Sequence, residues 1–269
     1  MKIAAVQTRP VFGQVERNLE EAAELIRSAA RADLYVLPEL FATGYLFESR
    51  EEVRELAEPA QGGPTYEALS KLARELDAVF VAGFAEKEGD CLYNSALVVS
   101  REGLVGVYRK THLFLDEKDL FDPGDSGFRV FTCGGVKLGV LICFDWVFPE
   151  AARVLALAGA EILCHPSNLV LPYAQRAMRI RALENRVFTA TANRVGADER
   201  AGKRLAFTGS SQITDLAGEV LAQASPDREE VILAEIDPSR ARDKHFTARN
   251  DLFADRRPEF YERLQTRIG

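Results

Sequence analysis

Hydrophobic positions along the chain switch between unbroken apolar runs and helical spacing. Lys2 to Gln7 reads as a strand, and the series Leu19, Ala22, Ala23, Ile26, Ala29 and Ala30 that follows has the spacing of a helix face. Leu34 to Leu37 predicts the next strand. A helix over Tyr66 to Leu76, carried by Leu69, Leu72, Ala73 and Leu76, leads into a strand over Ala78 to Phe84. Asn94 to Ser100 and Leu104 to Arg109 then read as a hairpin across Arg101-Glu102-Gly103. Phe128 to Thr132 and Val136 to Cys143 pair in the same way across Cys133-Gly134-Gly135. Pro149 opens a helix that runs to about Leu157 and stops at Gly159.

Glu161 to Cys164 predicts a short buried strand, Tyr173 to Phe188 a long arginine-rich helix, and Thr189 to Val195 a strand. A last hairpin joins Gln212–Asp215 to Glu219–Gln223 around Ala217-Gly218, and Val231 to Ile236 closes the sheet region. Strands with interleaved helices imply layered α/β packing, because each sheet face must be covered. A four-layer α-β-β-α sandwich satisfies this; periodicity alone does not choose it over an open doubly wound sheet. No linker or repeat divides the chain, which reads as one unit over 1–269. From Pro238 onward it is charged and arginine-rich, with Phe246, Leu252, Phe253, Phe260 and Tyr261 interspersed, as suits a segment packed on another surface.

Composition narrows the partners. A formal net charge of -7 and the absence of a long Lys/Arg run offer no basic field for a phosphate backbone, so nucleic acid is not expected. No apolar run approaches the roughly 18 residues of a membrane span, so no membrane association is expected either. The N-terminal residues do not read as a signal peptide. Cys91, Cys133, Cys143 and Cys164 form no C-x-x-C pair, which predicts a reduced, cytoplasmic setting. Neither the cysteines nor His112, His165 and His245 have metal-ligand spacing, and no Gly-rich phosphate loop is present. No metal or cofactor is therefore expected.

Three apolar runs end in reactive groups. Leu34-Tyr35-Val36-Leu37 leads to Glu39, Val105-Gly106-Val107-Tyr108 leads to Lys110, and Leu138 to Ile142 leads to Cys143. Catalytic groups in α/β sheets gather at strand ends, so the three could converge. Taken singly, Cys143 also reads as a buried structural thiol, and Glu39 and Lys110 as loop residues or a structural ion pair. His112 follows Lys110 by two residues and is not expected to act as the base.

The stretches Leu37-Pro38-Glu39-Leu40, Tyr108-Arg109-Lys110-Thr111-His112-Leu113-Phe114 and Ile142-Cys143-Phe144-Asp145-Trp146 resemble the three signature motifs of the nitrilase superfamily, the carbon-nitrogen hydrolases. Further blocks follow in family order, among them Phe121-Asp122-Pro123-Gly124-Asp125, His165-Pro166-Ser167-Asn168 and Arg256-Arg257-Pro258-Glu259-Phe260-Tyr261, so the resemblance spans nearly the whole chain. It implies the α-β-β-α sandwich and a homodimer or higher homo-oligomer, with 238–269 reaching the partner.

The resemblance also implies Glu39 as general base, Lys110 as oxyanion-stabilising lysine, Cys143 as nucleophile, and Glu117 as a second glutamate that orders substrate, base and lysine. Glu117 alone would equally suit a charged loop. Phe144 is expected to lend its backbone N–H to the oxyanion, and Tyr45, Phe114, Trp146 and Asn168 to line the pocket. The implied reaction cleaves a small amide through a cysteine thioester to a carboxylic acid and ammonia. Asp145, two residues after the nucleophile, is similar to the amidase and carbamoylase branches, so the resemblance leans toward amides, with an aliphatic nitrilase or an N-carbamoyl amidohydrolase as alternatives. Arg176 and Arg179 read first as solvated or dimer-facing residues and second as candidates for a carbamoyl or carboxylate group of the substrate. A catalytically inactive dimeric scaffold and a thiol redox protein using Cys143 and Cys164 are the readings of another class.

Overall fold

The computed structural model describes residues 1–266. Its first half contains β1 (Lys2–Gln7), α1 (Val15–Ser28), β2 (Leu34–Val36), α2 (Arg50–Leu56), α3 (Pro64–Leu76), β3 (Val79–Glu88), β4 (Cys91–Ser100) and β5 (Gly103–Arg109). A single turn, α4 (Glu117–Leu120), leads to β6 (Val130–Cys133), β7 (Val136–Val140), α5 (Pro149–Leu157), β8 (Ile162–Pro166), α6 (Ala174–Asn185) and β9 (Phe188–Ala192). The hairpin of β10 (Ala197–Arg200) and β11 (Lys203–Ala206) precedes β12 (Gln212–Thr214), β13 (Val220–Gln223) and β14 (Glu230–Glu235).

Two six-stranded sheets result, in the orders β14-β1-β2-β3-β4-β5 and β13-β12-β9-β8-β7-β6. Each has parallel strands at its centre (β1-β2-β3 and β7-β8-β9) and antiparallel pairs outside. Helices follow the parallel strands because a parallel crossover needs one.

Three apolar layers account for the stacking. One lies between the sheets and draws on Ile3, Val36 and Val98 from the first and on Val140, Ile162 and Ala190 from the second. The outer face of the first sheet packs Tyr35 and Phe80 against Leu19 and Ile26 of α1 and Leu69 and Leu72 of α3. On the second sheet, Leu141 and Leu163 pack against Ala152 and Leu155 of α5 and Met178 of α6. The architecture is the expected α-β-β-α sandwich.

Element ends differ where the backbone turns sharply. The strand predicted over Val136–Cys143 stops at Val140, since Cys143 takes a positive φ of 39° and opens a 3-10 turn over Cys143–Val147. The helix predicted over Tyr173–Phe188 is shorter, Ala174–Asn185, because Arg186 adopts a left-handed conformation with φ 46° and caps it. The strand placed over Thr189–Val195 starts at Phe188 and ends at Ala192, where its ladders run out.

The first part of the segment after Pro238 packs on the body of the same chain. Arg242 reaches Glu161 at 2.5 Å, and Lys244 donates to the carbonyls of Asn185 and Arg186 at the end of α6. Phe253 packs beside α5 and α6, whereas Phe260 and Leu264 are exposed. The last three positions of the segment 238–269 lie outside the described residues. No helix among the described residues is long and apolar enough to cross a membrane.

Candidate active site

Glu39 stands just past β2, on a segment laid against β3: Leu37 N–H donates to Val81, and Gly83 N–H donates to the Pro38 carbonyl. Gly83 is required there, since a Cβ would sit 2.4 Å from the Glu39 Cα. Lys110 follows β5, its N–H bonded to the Asn94 carbonyl at 2.8 Å and its own carbonyl bonded to Gly124 N–H at 3.0 Å. A Cβ on Gly124 would meet the carbonyl oxygens of Arg109 and Lys110 at 2.3 and 2.6 Å, so this approach also needs glycine.

These two segments and α4 bring three charges together. Lys110 Nζ lies 2.6 Å from Glu39 Oε1 and 2.8 Å from the Glu117 carboxylate, and the Lys110 and Glu39 side chains are wholly buried. Asn94 Nδ2 donates to Glu39 Oε1 at 2.7 Å, Tyr45 Oη to Glu117 Oε1 at 2.6 Å, and Phe114 N–H to Glu117 Oε2 at 3.2 Å. Nζ thus lies within 2.8 Å of three carboxylate oxygens, Glu39 Oε1 and both oxygens of Glu117. Glu39 Oε2 is buried and has no hydrogen-bond partner among the described residues. That oxygen is open to take a proton from a group brought beside it.

Cys143 comes from the second sheet, buried, in the strained left-handed conformation noted above. Its Sγ is 3.7 Å from the Asn168 carbonyl oxygen, and Asn168 Nδ2 donates to the Glu39 carbonyl at 2.8 Å. Asn168 therefore ties nucleophile and carboxylate segments together across the two sheets. His165, buried in β8, faces Thr191 Oγ1 and the Cys143 carbonyl, the latter at 2.9 Å from Nε2. A carbonyl only accepts, so Nε2 carries the proton. Burial pushes the His165 pKa down to about 4, despite the Cys143 carbonyl, and the ring is neutral at neutral pH.

The electrostatics suit a thiol that waits for a base. Burial, together with the Glu39 charge, drives the Cys143 pKa well above the ordinary thiol value; Lys110 opposes this without reversing it. Burial alone would lower Lys110, but the Glu117 and Glu39 charges outweigh it and keep the ammonium charged. Burial raises Glu117 above the ordinary carboxylate range, with Lys110 pulling the other way. A thiolate beside two carboxylates would add negative charge, so sulfur must lose its proton only as it attacks.

Phe114, Phe144, Trp146 and Asn168 line a cleft of about 10 Å³ over Cys143, room for about one water. Tyr45 stands instead beyond Glu117, where a cavity of about 330 Å³ is bounded by Tyr45, Phe47, Glu117, Phe121, Lys203 and Leu205. Arg176 and Arg179 line neither space; Arg179 is held by the Gly218 carbonyl at 2.8 Å. All four cysteines are free thiols. Among the described residues no group of three or more His, Cys, Asp or Glu is placed to hold a metal ion.

Three contributors were not singled out from the sequence: Asn94, His165 as a brace, and the β10–β11 hairpin. Asn94 carried one signal, a polar residue within a run that is otherwise buried strand.

The sequence matches the carbon-nitrogen hydrolase family over residues 2–246. A nitrilase of Pyrococcus abyssi is 53% identical over 98% of this chain and 100% of its own. An N-carbamoylputrescine amidase of Arabidopsis thaliana is 34% identical over 95% of this chain and 92% of its own. The crystal structure of a carbon-nitrogen hydrolase from Helicobacter pylori superposes with a TM-score of 0.91 at 31% identity, covering 100% of this chain and 99% of that one. The chain is an enzyme of the nitrilase superfamily, a carbon-nitrogen hydrolase acting on non-peptide C–N bonds.

Proposed function

We propose that the protein hydrolyses a small amide through a thioester on Cys143. The observation that carries this reading is the pairing of an unpartnered, buried Glu39 Oε2 with a buried Lys110 ammonium held between Glu39 and Glu117. Glu39 takes the Cys143 proton as Sγ attacks the carbonyl carbon, and the carbonyl π electrons move onto oxygen. The Lys110 ammonium and the backbone N–H of Phe144, at the open start of the 3-10 turn, receive that oxyanion. The C–N bond breaks, Glu39 returns the proton to nitrogen, and ammonia leaves. Water then gives its proton to Glu39 and attacks the thioester, releasing the carboxylic acid and restoring the thiol. Glu117, held by Tyr45 and the Phe114 amide, orients Lys110. Room for the acyl group is offered by the largely apolar cavity beyond Glu117 once the cleft opens, which suits an uncharged acyl chain.

A second reading, nitrile hydrolysis at the same site, is favoured by the 53% identity to a protein named nitrilase. Ammonia release from matched amides, carbamoyl amines and nitriles, beside a Cys143→Ala control, tests both. Amide turnover that the control lacks supports the first reading; turnover of nitriles alone transfers the assignment to the second. Residues 238–269 are proposed to extend to a second copy in a homodimer, in keeping with the exposed Phe260 and Leu264, and the cysteine usage continues to favour a cytoplasmic setting.

A further inference from the structure

Asp145 has no role in the chemistry above, yet it is wholly buried and accepts four hydrogen bonds. One comes from Ile142 N–H at 2.9 Å, directly before the nucleophile. The other three come from the segment that carries Lys110: Tyr108 Oη at 2.7 Å, His112 N–H at 3.2 Å and His112 Nδ1 at 2.8 Å. Tyr108 and His112 stand two residues before and two residues after Lys110. The Asp145 amide also donates to the Ile142 carbonyl, which closes the 3-10 turn that begins at Cys143. His112 is fixed from its other side by stacking on Phe148, centroids 3.6 Å apart and planes 10° from parallel. Tyr108 Oη is further anchored by Thr111.

We propose that Asp145 is a positioning residue that pins both flanks of Lys110 to the strained turn bearing Cys143, and so sets the geometry between nucleophile and oxyanion donor. Cys143 sits at a φ that most residues avoid, and relaxation of that turn is opposed by the hydrogen bond at Ile142. The two segments belong to different sheets, and the same carboxylate holds both. This inference rests on the proposed roles of Cys143 and Lys110, so its test reads the thiol directly as well as turnover.

The test is the rate at which iodoacetamide alkylates each cysteine of the full-length protein, followed by peptide mass spectrometry, in wild type and in Asp145→Asn. Sγ displaces iodide, and the proton passes to Glu39 or solvent. Exposed Cys91 serves as the reference, and buried Cys133 and Cys164 report any loss of fold. The expected result is a fall of about 10-fold or more in Cys143 alkylation and in kcat, with KM within about 2-fold, Cys91 unchanged, and Cys133 and Cys164 still protected. Unchanged Cys143 alkylation and kcat in a protein whose other thiols keep their rates would overturn the proposal. Should Asp145→Asn expose Cys133 and Cys164, Tyr108→Phe and His112→Phe each remove one contact. Their effects on Cys143 alkylation are then expected to be less than additive in the double variant, and full independence of the two would count against a shared brace. A protein that shows the alkylation effect but turns over no amide or nitrile would sink the proposed function while leaving the brace standing.

Discussion

Arg109 and Lys110 are neighbours at the end of one strand, and they show two ways of burying a cation. Arg109 is fully engaged: Nε and Nη2 take both oxygens of buried Glu86 at 2.9 and 2.6 Å, Nη2 also reaches Glu88, Nη1 takes Asp125, and the guanidinium lies 4.0 Å from the Tyr93 ring centre. Ser95 completes Glu86 with a further hydrogen bond. Lys110, on the opposite side of the chain, is more deeply buried, and an unpaired Glu39 oxygen stands beside it. A structural cluster closes its hydrogen bonds, whereas a site keeps some open at a cost in stability. That contrast, more than burial or charge, separates the two adjacent residues.

Perturbing the two clusters should give opposite phenotypes. Glu39→Gln removes the proton acceptor but keeps the shape; kcat should fall roughly 10³-fold in a steady-state ammonia assay while the thermal midpoint stays close to wild type. Arg109→Met strands the Glu86 carboxylate in its buried setting, and urea denaturation should register a loss of about 3 kcal/mol. The folded fraction of that variant should keep kcat within about 10-fold of wild type, and a larger drop would erase the distinction between clamp and site.

The second sheet supplies a comparable contrast between brace and reagent. His165 is neutral with its pKa pushed down to about 4, so below the unfolded-state value near 6.5 the unfolded chain binds a proton that the folded chain refuses. Stability should therefore decline as pH falls from 6.5 to 4, by about 3 kcal/mol from this group, and His165→Gln should remove that part of the slope in urea titrations at each pH. The smallest effect concerns Glu117, which burial holds above the ordinary carboxylate range. Its protonation takes one carboxylate from Lys110, so kcat/KM should lose activity on the acid side at a pH above that range, and Glu117→Gln should flatten this limb.

Much of this arrangement was legible from apolar runs and turn residues. The runs ending near Glu39, Lys110 and Cys143 are encoded locally, and so are the Arg101-Glu102-Gly103 and Cys133-Gly134-Gly135 turns, which appear where expected. The helix over Pro149–Leu157 was readable from its proline and Gly159 alone. The short helix α2, begun by a Ser49 side-chain cap, has only Val53 buried and so left little periodic signal. The β10–β11 hairpin reads Ala-Asp-Glu-Arg and Lys-Arg-Leu-Ala, with no apolar alternation, and depends on distant partners such as Arg200 on Glu52 and Lys203 on Asp116. The 3-10 turn at Cys143 carries Asp145, whose partners Tyr108 and His112 come from the segment after the other sheet's β5, contacts that no local window contains. For the same reason His112, set aside as a base from its spacing, proves to be a partner of Asp145.

Added hydroxylamine tests the thioester on Cys143 most directly, by competing with water for the acyl group. With a turned-over amide, hydroxamate should form in proportion to hydroxylamine at the expense of carboxylic acid, and none should form from Cys143→Ala. Hydroxamate absent while acid continues to form, or hydroxamate made equally by Cys143→Ala, would contradict the thioester.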